Sequence, residues 1–92
     1  MEPIEFRNDD NAYLLWLAQH RGGFVLNRRK YQSVAPMTLH RATCTQIAMY
    51  RDSPYAYTGA SYVKLCADAT EPLREYVERA GAPFRQCQVC KP

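Results

Sequence analysis

Four side chains in two short motifs have the types and spacing of metal ligands. The stretch HRATC places His40 and Cys44 four residues apart, and the stretch CQVC places Cys87 and Cys90 three residues apart. A tetrahedral zinc ion takes four nitrogen or thiolate ligands, usually as two closely spaced pairs. A tight turn can direct both members of such a pair to one ion and leave backbone amides free to hydrogen-bond the thiolates. We therefore expect one structural Zn²⁺ bound by these four residues.

Two alternatives use the cysteines differently. Cys66 could replace His40 as the fourth ligand, but it lies in VKLCA, a strand-like stretch in which a free cysteine usually behaves as a small core residue. A redox-active Cys-x2-Cys pair normally begins a helix, whose N-terminus lowers the thiol pKa. Only Lys91 and Pro92 follow the pair in this sequence, which disfavours redox catalysis.

The sequence contains no pattern typical of an active site. A catalytic zinc keeps an open coordination position beside a general base, and no acidic residue lies close in sequence to the proposed ligands. His20 follows the first apolar stretch, where a capping or surface role is expected. Phosphate-binding glycine loops, paired carboxylates and Ser-His-Asp sets are absent from the sequence. We expect a module that is not itself an enzyme.

Length and composition indicate one small folded domain spanning residues 1–92. The hydrophobic fraction is 47% and the aromatic fraction 12%, values typical of a folded chain. A domain of this size buries only about 60% of its unfolded surface, so a metal ion would add needed stability. No apolar run approaches the ~20 residues of a membrane span, and the acidic N-terminus is unlike a signal peptide. We expect a cytoplasmic protein without a membrane partner, in a compartment where thiolates more often hold metal than form disulfides.

Positive charge is concentrated in two segments of the chain. Residues 21–51 contain six Arg or Lys and residues 81–92 contain two, with no Asp or Glu in either segment. Such segregation predicts a positive face for an anionic partner. Tyrosines in the loop-like stretch RDSPYAYTGAS could stack on a base. The predicted nucleic-acid contacts are Arg28, Arg29, Lys30, Arg41, Arg51, Tyr55, Tyr57, Arg85 and Lys91.

The first half of the chain is predicted to contain a helix and a hairpin. The helix runs through NAYLLWLAQHR, with a cap among Asn8, Asp9 and Asp10 and a left-handed stop at Gly22 and Gly23. The segments GFVLNRRKY and APMTLHRA are predicted to pair as strands, with the basic run RRK near the tip. The following TQIAMYR is predicted to be a further strand or an irregular crossing.

The second half is predicted to contain a strand, a helix and a knuckle. SYVKLCAD alternates as a strand, with Lys64 and Cys66 on the same side. A helix begins at Thr70, accommodates Pro72 in its first turn and ends at Gly81. The cysteine pair then forms the C-terminal knuckle. The predicted fold class is a zinc-stabilised α+β domain.

The segment from SYVKLCAD to the C-terminus, taken with HRATC, resembles the zinc-binding N-terminal domain of the Ada DNA-repair proteins. That family pairs Cys-x3-Cys with a later Cys-x2-Cys that follows a strand, a short helix ending in Gly, and an aromatic-Arg-Pro stretch. The resemblance implies a zinc-held α/β module that contacts the DNA backbone. Gln86 stands in place of the family's proline, and the matching residues are Phe84, Arg85, Cys87, Cys90 and Pro92.

The departures from that family concern its chemistry. One metal-bound cysteine of the Ada family accepts a methyl group from damaged phosphate, and His40 stands at that place here. A zinc-bound imidazole cannot replace a thiolate as the methyl acceptor, so methyl transfer is not carried over. The separation of Cys44 and Cys87 is also longer than in the family, and the N-terminal helix and basic hairpin are additions.

Two functions follow as hypotheses. The first is a zinc-stabilised DNA-binding module that recognises modified or damaged DNA. The second is a zinc-stapled accessory domain that binds a protein or a small ligand, with Glu71, Glu75 and Glu78 of the second predicted helix facing a basic partner. Salt-dependent DNA binding would separate the two.

Overall fold

A computed structural model of the chain describes residues 2–31, 35–48, 57–59 and 62–92. These residues form a compact α+β fold with one five-stranded sheet and three helices. The α+β prediction is therefore confirmed. In chain order the elements are β1 (Ile4–Phe6), α1 (Asp10–Gln19), β2 (Phe24–Arg29), β3 (Met37–Arg41), α2 (Thr45–Ala48), β4 (Tyr62–Ala67), α3 (Glu71–Ala80) and β5 (Phe84–Gln86).

The sheet has the strand order β1-β4-β2-β3-β5. β2 pairs antiparallel with β3 and with β4, and β1 pairs antiparallel with β4. β5 pairs with β3 in parallel. The two segments predicted to pair as strands, β2 and β3, are antiparallel neighbours, and the C-terminal segment reaches the far edge of the sheet beside β3.

Side chains alternate between two faces of this sheet, as the pleat of a strand requires. On the face that we call the α1 face, Val25 and Cys66 pack with Tyr13, Trp16 and Leu17 of α1. On the opposite face, called the α3 face, a second cluster joins the apolar residues of β2, β3 and β4 to α3. Its members include Leu26, Leu39, Leu65, Leu73 and Val77.

Local chemistry marks the start of α1 and both ends of α3. Asp9 caps α1 by accepting a hydrogen bond from the Ala12 amide at 3.1 Å. α3 has Pro72 in its first turn and ends at Gly81, whose φ of 68° is the left-handed conformation that glycine adopts without strain. These features confirm the predicted start and stop of α3.

The predicted left-handed stop of α1 is wrong. The amide of His20 donates to the Trp16 carbonyl at 2.9 Å as the helix ends, and neither Gly22 nor Gly23 has positive φ. Gly23 is needed for a close approach instead, since a Cβ there would lie 2.7 Å from the Trp16 ring. The glycine lets α1 lie against the sheet.

Three other elements depart from the sequence expectations. Thr45–Ala48 form the short helix α2, whereas a strand or irregular crossing was predicted. The strands β1 and β5 were not predicted, because three residues are too few to display an alternating pattern. They exist because β4 and β3 supply partners for their backbone groups.

The described helices are too short to cross a bilayer, since the longest have ten residues.

Candidate metal centre

Four predicted ligands come together at one end of the sheet. The ligand atoms of His40, Cys44, Cys87 and Cys90 all lie within 4.8 Å of one another, and the sulfurs of Cys44 and Cys87 are 3.9 Å apart. Two thiolates on a tetrahedral zinc with Zn–S bonds of about 2.3 Å would be about 3.8 Å apart. The group can therefore bind one metal ion with little rearrangement.

The end of β3 positions the upstream pair. His40 is a residue of β3 and pairs with Val25 of β2, which places its ring on the α1 face. A turn follows, in which the Cys44 amide donates to the Arg41 carbonyl at 3.0 Å. The Ala42 amide also donates to the Gly23 carbonyl at 2.9 Å. This turn brings Cys44 back beside His40.

Parallel pairing of β5 with β3 positions the downstream pair. Gln86 pairs with Leu39, and the Cys87 amide continues the ladder by donating to the Leu39 carbonyl at 2.9 Å. A turn then closes with a 3.0 Å hydrogen bond from the Lys91 amide to the Cys87 carbonyl. The pairing therefore delivers the predicted knuckle to the end of β3.

Backbone amides donate to the sulfurs of the knuckle. The Val89 amide lies 3.4 Å from Cys87 Sγ, and the Arg41 amide lies 3.2 Å from Cys90 Sγ. Hydrogen bonds of this kind stabilise thiolates and orient them toward a metal. Burial raises the pKa of the Cys87 thiol, but hydrogen bonds from the amides of Cys90 and Val89 outweigh that effect and lower the pKa overall.

The other two ligands are buried and neutral before a metal binds. Burial, together with the charge of Lys64, lowers the pKa of His40 to about 4, so its imidazole is neutral at pH 7 as a ligand must be. Its Nδ1 is buried and has no hydrogen-bond partner in the part of the chain described. Burial raises the pKa of Cys44 to about 11, against a lowering by the Gln46 amide. Metal binding would displace that thiol proton.

Cys66 lies outside this group. It is fully buried on the α1 face, between Ile4 and Val25 in the sheet. Burial raises its pKa to about 12, which keeps it a neutral thiol of the core. All four cysteines are free thiols.

Three of the predicted DNA-contacting cations make internal contacts. The Arg28 side chain is only 12% exposed and its Nη1 lies 3.9 Å from Glu5. Lys30 donates to Asn8 Oδ1 and to the Gly59 carbonyl, both at 2.8 Å. Arg41 donates to the carbonyls of Cys90 and Lys91, at 3.0 and 3.2 Å, and so binds the tail to β3.

The remaining predicted contacts divide between exposed, buried and undescribed residues. Arg29, Arg85 and Lys91 are exposed. Tyr57 is buried, with its ring centroid 5.8 Å from that of Tyr13. Arg51 and Tyr55 lie outside the described residues.

A row of polar residues on the α1 face was not predicted from the sequence. Lys64 of β4, Asn27 of β2, Thr38 of β3 and Arg85 of β5 are register partners in succession across four strands. Beside this row is a cavity of about 370 Å³, which His40 also lines. A lysine inside the apolar strand VKLCA was the one sequence feature that marked the row, because lysine is seldom buried without a purpose.

A scan against protein-family models found no match to this chain, and searches of curated proteins and of solved structures found none either. The resemblance to the Ada module is therefore carried by the motif residues alone.

Proposed function

We propose that the protein is a DNA-binding module, stabilised by one structural zinc ion, that recognises modified or damaged DNA. The observation that carries this proposal is the position of two exposed arginines, Arg29 and Arg85, on the same sheet face as the polar cavity beside the metal group. Arg29 pairs in register with Tyr62, which lines the cavity, and Arg85 pairs with Thr38, which lines it too.

Zinc is favoured by the chemistry of the donors. Three sulfurs and one imidazole suit Zn²⁺ and do not suit the hard cations Ca²⁺ and Mg²⁺, which take oxygen ligands. Four protein ligands fill a tetrahedral site and leave no position for water or substrate, which favours a structural role. The proposal includes a relationship of this module to the zinc-binding N-terminal domain of the Ada proteins.

A structural ion would also hold the basic residues in place. Arg85 comes two residues before Cys87 and Lys91 directly follows Cys90, so binding of the ion fixes the backbone on both sides of the knuckle. Arg41 bonds the same segment to β3. Arg29, Arg85 and Lys91 are then free to neutralise phosphates, and such binding weakens as salt rises.

Charge reversal tests the proposal on duplex DNA. The double variant Arg29→Glu and Arg85→Glu should bind at least about tenfold more weakly than the native protein at low salt. The native affinity should itself fall steeply between about 50 mM and 200 mM salt. Fluorescence anisotropy measures both effects.

Arg79→Glu is the matched control. Arg79 is equally an exposed arginine, but it lies on α3 and its Nη2 is 3.7 Å from Glu75, so its reversal should change DNA affinity less than about twofold. Zinc content and circular dichroism must match in all variants. Equal DNA affinity in the double variant and the native protein would refute the proposal.

A second candidate function rests on an acidic groove at the opposite edge of the sheet. A cavity of about 360 Å³ there has Ile4 and Trp16 among its apolar lining residues and three exposed carboxylates at its rim, those of Glu2, Glu71 and Glu75. Its charge and apolar lining favour a basic segment of a partner protein. Trp16 is the sole tryptophan. A shift of its emission on titration with an arginine-rich peptide, with no DNA binding, would favour this candidate.

A further inference from the structure

The polar row across the α1 face begins with Lys64 and Asn27, whose side chains are hydrogen-bonded to each other. Lys64 is only 5% exposed, and its Nζ donates a hydrogen bond to Asn27 Oδ1. Because the oxygen of that amide is engaged, its nitrogen is left as a donor. The Thr38 hydroxyl follows in the next strand. Neither Asn27 Nδ2 nor Thr38 Oγ1 has a hydrogen-bond partner among the residues described.

These polar groups surround an open space. The cavity of about 370 Å³ is lined by Asn27 and Thr38 from the sheet, by Gln46 of α2 and by the rings of His40 and Tyr62. Unpaired polar groups in a half-buried position are unfavourable unless water or a ligand satisfies them. Their convergence in one concave site is the usual sign of a binding pocket.

The size and chemistry of the cavity select the class of ligand. Its volume is at the lower end of the roughly 300–1,000 Å³ of small-molecule pockets, which suits one heterocyclic ring system rather than an extended ligand. An amide and a hydroxyl side by side can hydrogen-bond the oxygen and nitrogen atoms at the edge of a base. The aromatic walls suit its flat faces.

The positive side chains near the cavity are complementary to the negatively charged phosphates that flank a base in a nucleic acid. Arg85 continues the polar row beyond Thr38. Arg29 lies in the adjoining row, with its guanidinium carbon 6.0 Å from the Tyr62 ring centroid. Arg29 and Arg85 are exposed and their strand neighbours Tyr62 and Thr38 line the cavity, so the two arginines can contact the phosphates on either side of an inserted nucleotide.

We propose that this cavity receives one unpaired nucleobase of the bound DNA, read at its edge by Asn27 and Thr38 while Arg29 and Arg85 hold the flanking phosphates. The inference rests on the proposed DNA binding and adds the ligand unit and its pocket. The metal centre would fix one wall, because His40 is both a member of the metal group and a lining residue.

Short duplexes that differ at one position test the inference. One duplex is fully paired, and four others each carry a single unpaired A, C, G or T at the centre. Extracting a paired base costs free energy that an unpaired base does not require. At least one unpaired base should therefore bind about tenfold or more tightly than the paired duplex.

Thr38→Val locates the preference in the cavity. Valine keeps the shape of threonine and removes its hydroxyl, so the variant should lose most of the preference for the unpaired base. Thr45→Val, at an exposed position of α2, is the matched control and should keep the preference. Thermal melting of each zinc-loaded variant verifies its folding.

The outcomes separate the inference from the proposed function. If no duplex binds, the proposed function fails and the inference fails with it. If duplexes bind with equal affinity, or if Thr38→Val keeps the native preference, the inference is overturned and DNA binding stands. Loss of the preference in Thr38→Val alone supports both.

Discussion

The α1 face and the α3 face belong to the same strands but are covered differently. On the α3 face, Leu26, Leu39 and Leu65 are buried beneath an amphipathic helix. On the α1 face, the helix covers the row of Cys66 and Val25, whereas the next row, with Lys64 and Asn27, adjoins a cavity. One face is therefore an ordinary apolar core, and the other is divided between core, metal group and polar pocket.

This difference teaches how a small sheet can be both stable and open. A pleated strand sends alternate side chains to opposite faces, so β2, β3 and β4 can commit one face to stability and keep polar residues on the other. The metal group adjoins the core beneath α1, since Cys87 and Cys44 belong to the same cluster as Tyr13 and Trp16. We expect the α1 face to depend on the ion more than the α3 face does.

Removal of the metal should have the largest effect. Structural zinc contributes of order 10 kcal/mol to small folds, so chelation of the zinc-loaded protein should abolish its cooperative thermal transition. Circular dichroism follows the melting, and native mass spectrometry should show one zinc before chelation. After chelation, the rate of amide hydrogen exchange should rise first in the knuckle and in α1.

Ligand variants give the control for that experiment. His40→Ala and Cys87→Ala should lose the zinc, whereas Cys66→Ser should retain it because Cys66 is outside the group. Retention in His40→Ala together with loss in Cys66→Ser would contradict the assignment of the ligands.

Substitutions at two neighbouring residues of β3 allow the stability of the two faces to be compared directly. Leu39 is fully buried on the α3 face, so Leu39→Ala should lower the free energy of unfolding by about 2–5 kcal/mol. Thr38 lines the cavity on the α1 face, so Thr38→Val should change it by no more than about 0.5 kcal/mol. Urea denaturation of the zinc-loaded proteins measures both. Equal losses would show that the α1 face is packed as tightly as the other.

Gly23 should give a smaller effect that is specific to the α1 face. A Cβ at Gly23 would meet the Trp16 ring at 2.7 Å, so Gly23→Ala should lower the free energy of unfolding by about 1–3 kcal/mol. Nothing lies within 4 Å of a Cβ at Gly22, so Gly22→Ala is the matched control and should be neutral or slightly stabilising. Denaturant midpoints and the emission of Trp16 check the pair. An unchanged midpoint in Gly23→Ala would mean that α1 can move away from the sheet without loss.

The prediction from sequence succeeded where a feature depends on nearby residues. α3 was predicted with its proline and its Gly81 stop, because caps and first-turn prolines act through one or two local backbone groups. The hairpin and β4 were predicted from alternation within single segments. α1 was predicted as a helix, but its glycine pair was misread because a contact with Trp16 determines that position.

The sequence by itself determined the ligand types and their spacing, since each pair lies within one turn of backbone. Only the tertiary structure decided which pairs meet. The parallel pairing of β5 with β3 places Cys87 beside His40 and leaves Cys66 inside the core. The same pairing completes the polar row that ends at Arg85. Such a row joins residues far apart in the chain, and its members become neighbours only because strand register fixes which side chains share a line across the sheet.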